Sequence, residues 1–264
     1  MSIRLVKTTA IAMIFVLAAG FVPARAQDDA AKSTAPDPQI EEILKKSEKA
    51  IYSIYRDVKD MEFDLALPML ESLAPGLKMT ILWKKGEAKL ETSGDVPEGP
   101  LSQLIAQFDA QKTDIARMIL QPPDLVKFEE CDVTYSKDGS NHKFVAVAPE
   151  GKRLNFVKRT LVIGPNYLPV SAESEVDKPN MGRLTETTTF HYDLKEDGRS
   201  VLTSVDATNP MGSQKFTMEY ARSGERLTLA KVEISSEANP MGPMVMEFRN
   251  LKLNQNLADD RFSE

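Results

Sequence analysis

Asn209-Pro210-Met211-Gly212 and Asn239-Pro240-Met241-Gly242 are the same turn written twice, and Asn180-Met181-Gly182 is a shorter version of it. The Met-Gly pairs fall at 181, 211 and 241, thirty residues apart each time. Between them lie turns of another kind, Glu196-Asp197-Gly198 and Ser223-Gly224-Glu225. Thirty residues is too long for one strand and suits two strands with two turns. Alternate turns of an antiparallel meander fall on the same edge of a sheet. The Met-Gly turns are therefore expected side by side on one rim, with the Asp-Gly and Ser-Gly turns on the other.

Working back from this meander, the alternation of apolar and polar residues continues. Met61, Phe63, Leu65, Leu67 and Met69 alternate with polar or small residues, and so do Leu77, Met79, Ile81 and Trp83. Each run reads as a strand with one apolar face. Lys84-Lys85-Gly86 turns the chain into a third strand through Ala88 and Leu90. Later strands are expected at 125–136, 142–148, 153–163, 167–176, 183–193, 199–207, 213–221, 227–236 and 243–253.

Two stretches break the period of two. Ile40, Ile43, Leu44, Ser47, Ile51, Ile54, Tyr55 and Val58 predict a helix over 38–57, opened by Asp37-Pro38. Leu101, Leu104, Ile105, Phe108, Ile115, Met118 and Ile119 predict a second, opened by Pro100 and ended by Gln121-Pro122-Pro123. Gln103, Gln107, Asp109, Lys112 and Asp114 are expected on its polar face. About a dozen strands with two early helices is not the alternation of a parallel sheet. The fold class is α+β, mostly β: a strongly curved antiparallel sheet of about 11–12 strands, an incomplete barrel, with amphipathic helices over its concave apolar face.

The N-terminus reads as an export signal. Arg4 and Lys7 precede the apolar run Ile11–Ala19, and Ala24-Arg25-Ala26 supplies the small residues for cleavage before Gln27. Residues 1–26 are the expected signal peptide, 27–37 a flexible leader, and 38–264 a single domain. Removing the signal takes away Arg4, Lys7 and Arg25 and no acid, so the formal charge goes from −6 to −9. An acidic exported domain is a poor partner for nucleic acid or anionic lipid surfaces. Cys131 is the only cysteine, which excludes an intrachain disulfide.

These pieces together resemble the LolA-like superfamily of periplasmic lipoprotein carriers and related lipid-binding proteins. The likeness rests on a signal peptide, an amphipathic helix ending in Ile51-Tyr52-Ser53-Ile54-Tyr55, a long first strand, a helical insertion and a meander. It also rests on Leu168-Pro169-Val170 before a polar strand and Gly182. The closing strand contributes Phe248-Arg249-Asn250-Leu251-Lys252-Leu253-Asn254, followed by Leu257 and Asp260-Arg261-Phe262. The resemblance covers about residues 38 to 264 and implies a half-open barrel with a helical lid over an apolar cavity. It implies acyl-chain binding without catalysis.

The residues themselves give little support for chemistry. His142 and His191 are the only histidines, each in or beside a strand without a Ser or Cys motif. Cys131 shares a strand face with Val133 and Tyr135 and reads as core. There is no phosphate loop and no zinc-ligand spacing, and no cofactor is expected. Methionine is the more informative residue, being soft and adaptable. The expected cavity and lid residues are Phe63, Leu65, Met79, Ile81, Trp83, Leu104, Ile105, Phe108, Phe216, Met218, Tyr220, Met244, Met246 and Phe248. Met181, Met211 and Met241 are expected as rim contacts.

The function expected from this reading is a periplasmic, monomeric, non-enzymatic carrier of a lipid, lipoprotein acyl chain or similar amphiphile. Membrane-bound donor and acceptor proteins would be its partners. One alternative is a protein-interaction or sensor module whose core is filled by its own side chains. Another is a methionine site for Cu(I), centred on Met244-Val245-Met246.

Overall fold

A computed structural model describes residues 38–95, 99–122, 124, 128, 131–149, 156–178, 182–237 and 242–262. The expected signal peptide, the leader and the rim residues Met181 and Met241 lie outside them. One antiparallel sheet of twelve strands dominates the chain, curved and not closed into a barrel. In chain order its first members are β1 (Asp60–Ala66), β2 (Lys78–Lys84) and β3 (Glu87–Ser93). The next five are β4 (Asp132–Asp138), β5 (Asn141–Val147), β6 (Lys158–Ile163), β7 (Pro169–Lys178) and β8 (Gly182–His191). A separate hairpin follows, β9 (Leu194–Glu196) with β10 (Arg199–Val201). The large sheet resumes with β11 (Ser204–Asn209), β12 (Gly212–Ser223), β13 (Arg226–Ser236) and β14 (Met244–Leu253).

The spatial order is β3-β2-β1-β14-β13-β12-β11-β8-β7-β6-β5-β4. The last strand therefore lies against the first, with Met61 opposite Leu253 and Leu65 opposite Phe248. The β7–β8, β11–β12 and β13–β14 hairpins are neighbours and turn at the same edge, as the thirty-residue repeat predicts. The Asp-Gly turn does not lie on the opposite rim of this sheet. Asp197 and Gly198, both at positive φ, close the small β9–β10 hairpin instead. The expected strand 199–207 is accordingly two strands, broken at Leu202-Thr203.

Three other expectations are corrected. The first helix, α1, spans Pro38–Ala50 and stops well short of residue 57. Ile51 bridges to Ser200, and the Tyr52 amide donates to the Ser200 carbonyl at 2.8 Å. The run Ile51-Tyr52-Ser53-Ile54-Tyr55 has weak helix formers, so pairing with β10 wins. The first strand ends at Ala66 because Pro68 cannot donate to a ladder; it opens a short helix, α2 (Pro68–Leu73). Finally, strand 125–136 begins only at Asp132, and Asp124 and Phe128 are helical.

The second long helix, α3, spans Pro100–Leu120, as predicted. Gln121 stops it in the left-handed conformation, its amide donating to the Arg117 carbonyl. The sheet has two chemically distinct faces. Outer-face residues form ion pairs such as Lys252–Glu62, Arg261–Glu62, Arg261–Glu91 and Lys231–Glu219. The inner face carries two apolar clusters. One joins α3 to β1, β2 and β11–β14; the other joins α1 to β5–β7. Phe190 on β8 packs against both.

Candidate functional site

The inner face under α3 is built by register. Phe63 stands opposite Ile81 and Leu65 opposite Met79, while Leu65 also faces Phe248. Further along, Val205 faces Phe216, Met218 faces Val232, and Val232 faces Met246. Successive side chains on a strand alternate faces, so one correct register places every apolar member inside. Leu104, Ile105, Phe108, Ile115 and Met118 of α3 close over this surface. All fourteen residues expected at the cavity or lid are brought together there. Phe63 and Ile81 are fully buried, and only Tyr220 and Met244 are partly open. Phe63 meets Phe248 edge to face at 5.7 Å, and Tyr55 tilts over Trp83 at 6.4 Å.

The attachment of α3 is uneven. At its C-terminal end the Ser53 hydroxyl donates to the carbonyls of Leu120 and Gln121, at 3.1 and 2.7 Å. The Gln121 side-chain amide donates to the Tyr220 hydroxyl at 2.5 Å, which in turn donates to the Leu202 carbonyl at 2.6 Å. Burial holds the Tyr220 phenol up at about 12, so it keeps its proton and remains a donor. By contrast, the polar bonds of residues 101–116 stay within the helix or its own first turn, as in Ser102 to Gly99 and Lys112 to Asp109. Over that span only apolar contact joins α3 to the sheet among the described residues.

Asp114 departs from the sequence reading. It is not on the solvent face of α3: it is 5% exposed, and its Oδ2 has no hydrogen-bond partner. Burial pushes its carboxyl up to about 8, against a smaller opposing pull from Arg117. Gln107 Oε1 and Trp83 Nε1 are likewise buried without a partner. Helical periodicity alone could not locate Asp114, because it sits at the border between the two faces. Ser53 and Tyr52 carried no signal in sequence either, since their partners are backbone groups far along the chain.

On the other half of the sheet, α1 lays Ile40, Ile43 and Leu44 over Phe144, Leu161, Ile163 and Ala172. His142 stacks between Tyr135 and Tyr167, and its Nδ1 lies 3.0 Å from the Tyr135 hydroxyl. Burial lowers its pKa, helped by Lys137 and Lys46, so the ring is neutral at pH 7. His191 Nε2 lies 2.7 Å from Asp206 on the neighbouring strand. Neither histidine bonds to a Ser or Cys among the described residues. Cys131 packs at the edge of the α1 cluster, in keeping with a core role.

A polar groove of about 510 Å³ lies between the end of α1 and β10. Lys45, Glu48, Lys49, Arg56, Asp57 and Arg199 line it, and none of the fourteen apolar residues does. Met211 stands on the rim turn, 40% exposed, its amide held by Asn209 Oδ1 at 2.8 Å. Among the described residues no group of three or more His, Cys, Asp or Glu is arranged to hold a metal ion, and no helix is long and apolar enough to cross a membrane.

No family model matches the chain, and no curated protein matches it either. Two solved structures are similar over most of their length. One is a LolA superfamily protein from Nitrosomonas europaea, 14% identical, covering 89% of this chain and 99% of that one, with a TM-score of 0.36. The other is a DUF1329 family protein from Desulfovibrio piger, 11% identical, covering 88% and 98%, with a TM-score of 0.38. These are likenesses of fold alone.

Proposed function

We propose that the protein is a periplasmic, non-enzymatic carrier that holds the acyl chain of a lipid or lipoprotein between α3 and the inner face of the sheet. The observation that carries this reading is the uneven attachment of α3. Among the described residues no hydrogen bond joins residues 101–116 of the helix to the sheet, while Ser53, Gln121 and Tyr220 pin its far end. An acyl chain can replace apolar contacts without leaving a hydrogen bond unmade. Each methylene it buries contributes about 0.8 kcal/mol. The helix then swings about its C-terminal pin, with Gly99, at φ 95°, as the yielding joint at the other end.

Residues 1–26 direct export in this reading, with cleavage before Gln27, and residues 38–264 act as one monomeric domain. Met181, Met211 and Met241 form an apolar rim where the cargo enters.

Trp83 is the only tryptophan and packs in the cluster under the helix, so its emission reports on that interface directly. Titration with a fatty acid or lysophospholipid is expected to shift its emission saturably. Native mass spectrometry after mild purification is expected to show retained amphiphile. An unchanged Trp83 signal together with a bare chain mass overturns the carrier reading. It would favour the second reading, an interaction or sensor module filled by its own side chains, which draws support from the complete burial of Phe63 and Ile81.

A further inference from the structure

The helix α3 and the face beneath it contain buried polar atoms that have no partner among the described residues. Buried polar groups are nearly always hydrogen-bonded, and a carboxyl left alone in apolar surroundings is costly. Asp114 is 95% buried, and its Oδ2 has no partner. Its neighbours Ile115, Ala116, Met118 and Ile119 all belong to the cluster beneath the helix. Gln107 precedes it by seven residues, two helical turns or about 10 Å along the same stripe. Its Oε1 is also buried and unpartnered. Both groups present oxygens that accept hydrogen bonds, and among the described residues no donor reaches either.

We propose that Asp114 receives the ammonium group of an amine-bearing amphiphile whose chain lies against the inner face of the sheet, with Gln107, two turns along the helix, offering a further acceptor to the headgroup. This rests on the carrier reading and names its cargo class. An ammonium brings three donors to acceptors without one among the described residues, and a positive charge that adds to the smaller pull of Arg117. A charge-assisted bond to a carboxylate is about twice as strong as a neutral one. A fatty acid would bring further acceptors and a negative charge into apolar surroundings. A long-chain alcohol would bring one donor and no charge.

The protonation balance gives a signature. Burial holds the empty Asp114 carboxyl at about 8, so at pH 7 it carries its proton. The incoming ammonium favours the carboxylate, and that proton leaves to the buffer as the ion pair forms. Amine binding at pH 7 therefore releases close to one proton per molecule, and alcohol binding releases none.

The test compares dodecylammonium, dodecanol and dodecanoate below their micelle concentrations. Calorimetry is run at pH 7 in two buffers of different ionisation enthalpy, with Trp83 emission followed in parallel. The amine is expected to bind roughly tenfold or more tighter than the alcohol, with proton release. Asp114→Asn keeps the shape of the protonated side chain and so leaves the fold intact. In that variant the amine preference and the proton release both vanish while alcohol binding persists. Equal binding of amine and alcohol, or an amine preference unchanged in the variant, overturns the assignment and leaves the carrier reading standing. Failure of all three probes to bind overturns both.

Discussion

The Tyr52 hydroxyl serves both backbone groups of Leu227: it donates to the carbonyl and accepts from the amide, each at 3.0 Å. One side chain just after α1 thus fastens the start of β13, 175 residues away. Tyr52→Phe keeps the ring, which Arg199 covers at 4.9 Å, and removes both bonds. Leaving a buried donor and acceptor unpaired is expected to cost about 1–3 kcal/mol. Urea unfolding measures the loss, and faster exchange of the Leu227 amide localises it.

Tyr220 holds the pinned end of α3 through Gln121. Tyr220→Phe removes that acceptor and the donor to Leu202. Hydrogen exchange is expected to quicken along residues 101–120, while β5–β7 under α1 stay protected. Uniform acceleration over both halves would contradict a lid that moves by itself.

Phe63 is fully buried on the inner face, edge-on to Phe248. Phe63→Ala is expected to lower stability by about 3–5 kcal/mol, through lost transfer energy and the cavity left behind. An acyl ligand that fills this space should restore part of the loss, which thermal unfolding with and without ligand will show.

Asp114 makes stability depend on pH. Its carboxyl lies near 3.8 in the unfolded chain and at about 8 in the folded one, so the folded state binds the extra proton between these values. Stability is therefore full below about pH 4, falls as pH rises through this window, and levels off above about pH 8. The fall is expected to be on the order of 1–3 kcal/mol after allowance for water reaching the charged form. Asp114→Asn should remove this slope. Denaturant midpoints at pH 5 and pH 8 provide the check.

Met211 is exposed and belongs to neither apolar cluster. Replacing Met181, Met211 and Met241 together by Ser is expected to leave the unfolding midpoint nearly unchanged and to slow acyl-ligand uptake. Unchanged uptake kinetics would remove the rim from the entry path.

The meander, α3 and the two-faced sheet were legible in sequence because each rests on periodicity. Register then carried all fourteen inner-face residues to one cluster, since a single correct pairing fixes the facing of every alternate side chain. What periodicity missed depends on single groups meeting at long range. The end of α1 is decided by a backbone pairing with Ser200, 149 residues from Ile51. Pro68 ended β1 although Leu67 and Met69 continued its alternation. The small β9–β10 hairpin was hidden because its turn fits a meander equally well. Asp114 was placed in solvent because a carboxylate ordinarily belongs there.

The pairing of β1 with β14 bears on how the protein is made. Until Phe248 and Leu253 emerge, β1 to β3 have no neighbour joining them to the rest of the sheet. Contacts between such distant parts of a chain form late and slowly, after a large loop has closed. A nascent chain would hold two unfinished sheets with oily faces showing, and it would need sheltering until its final strand arrived.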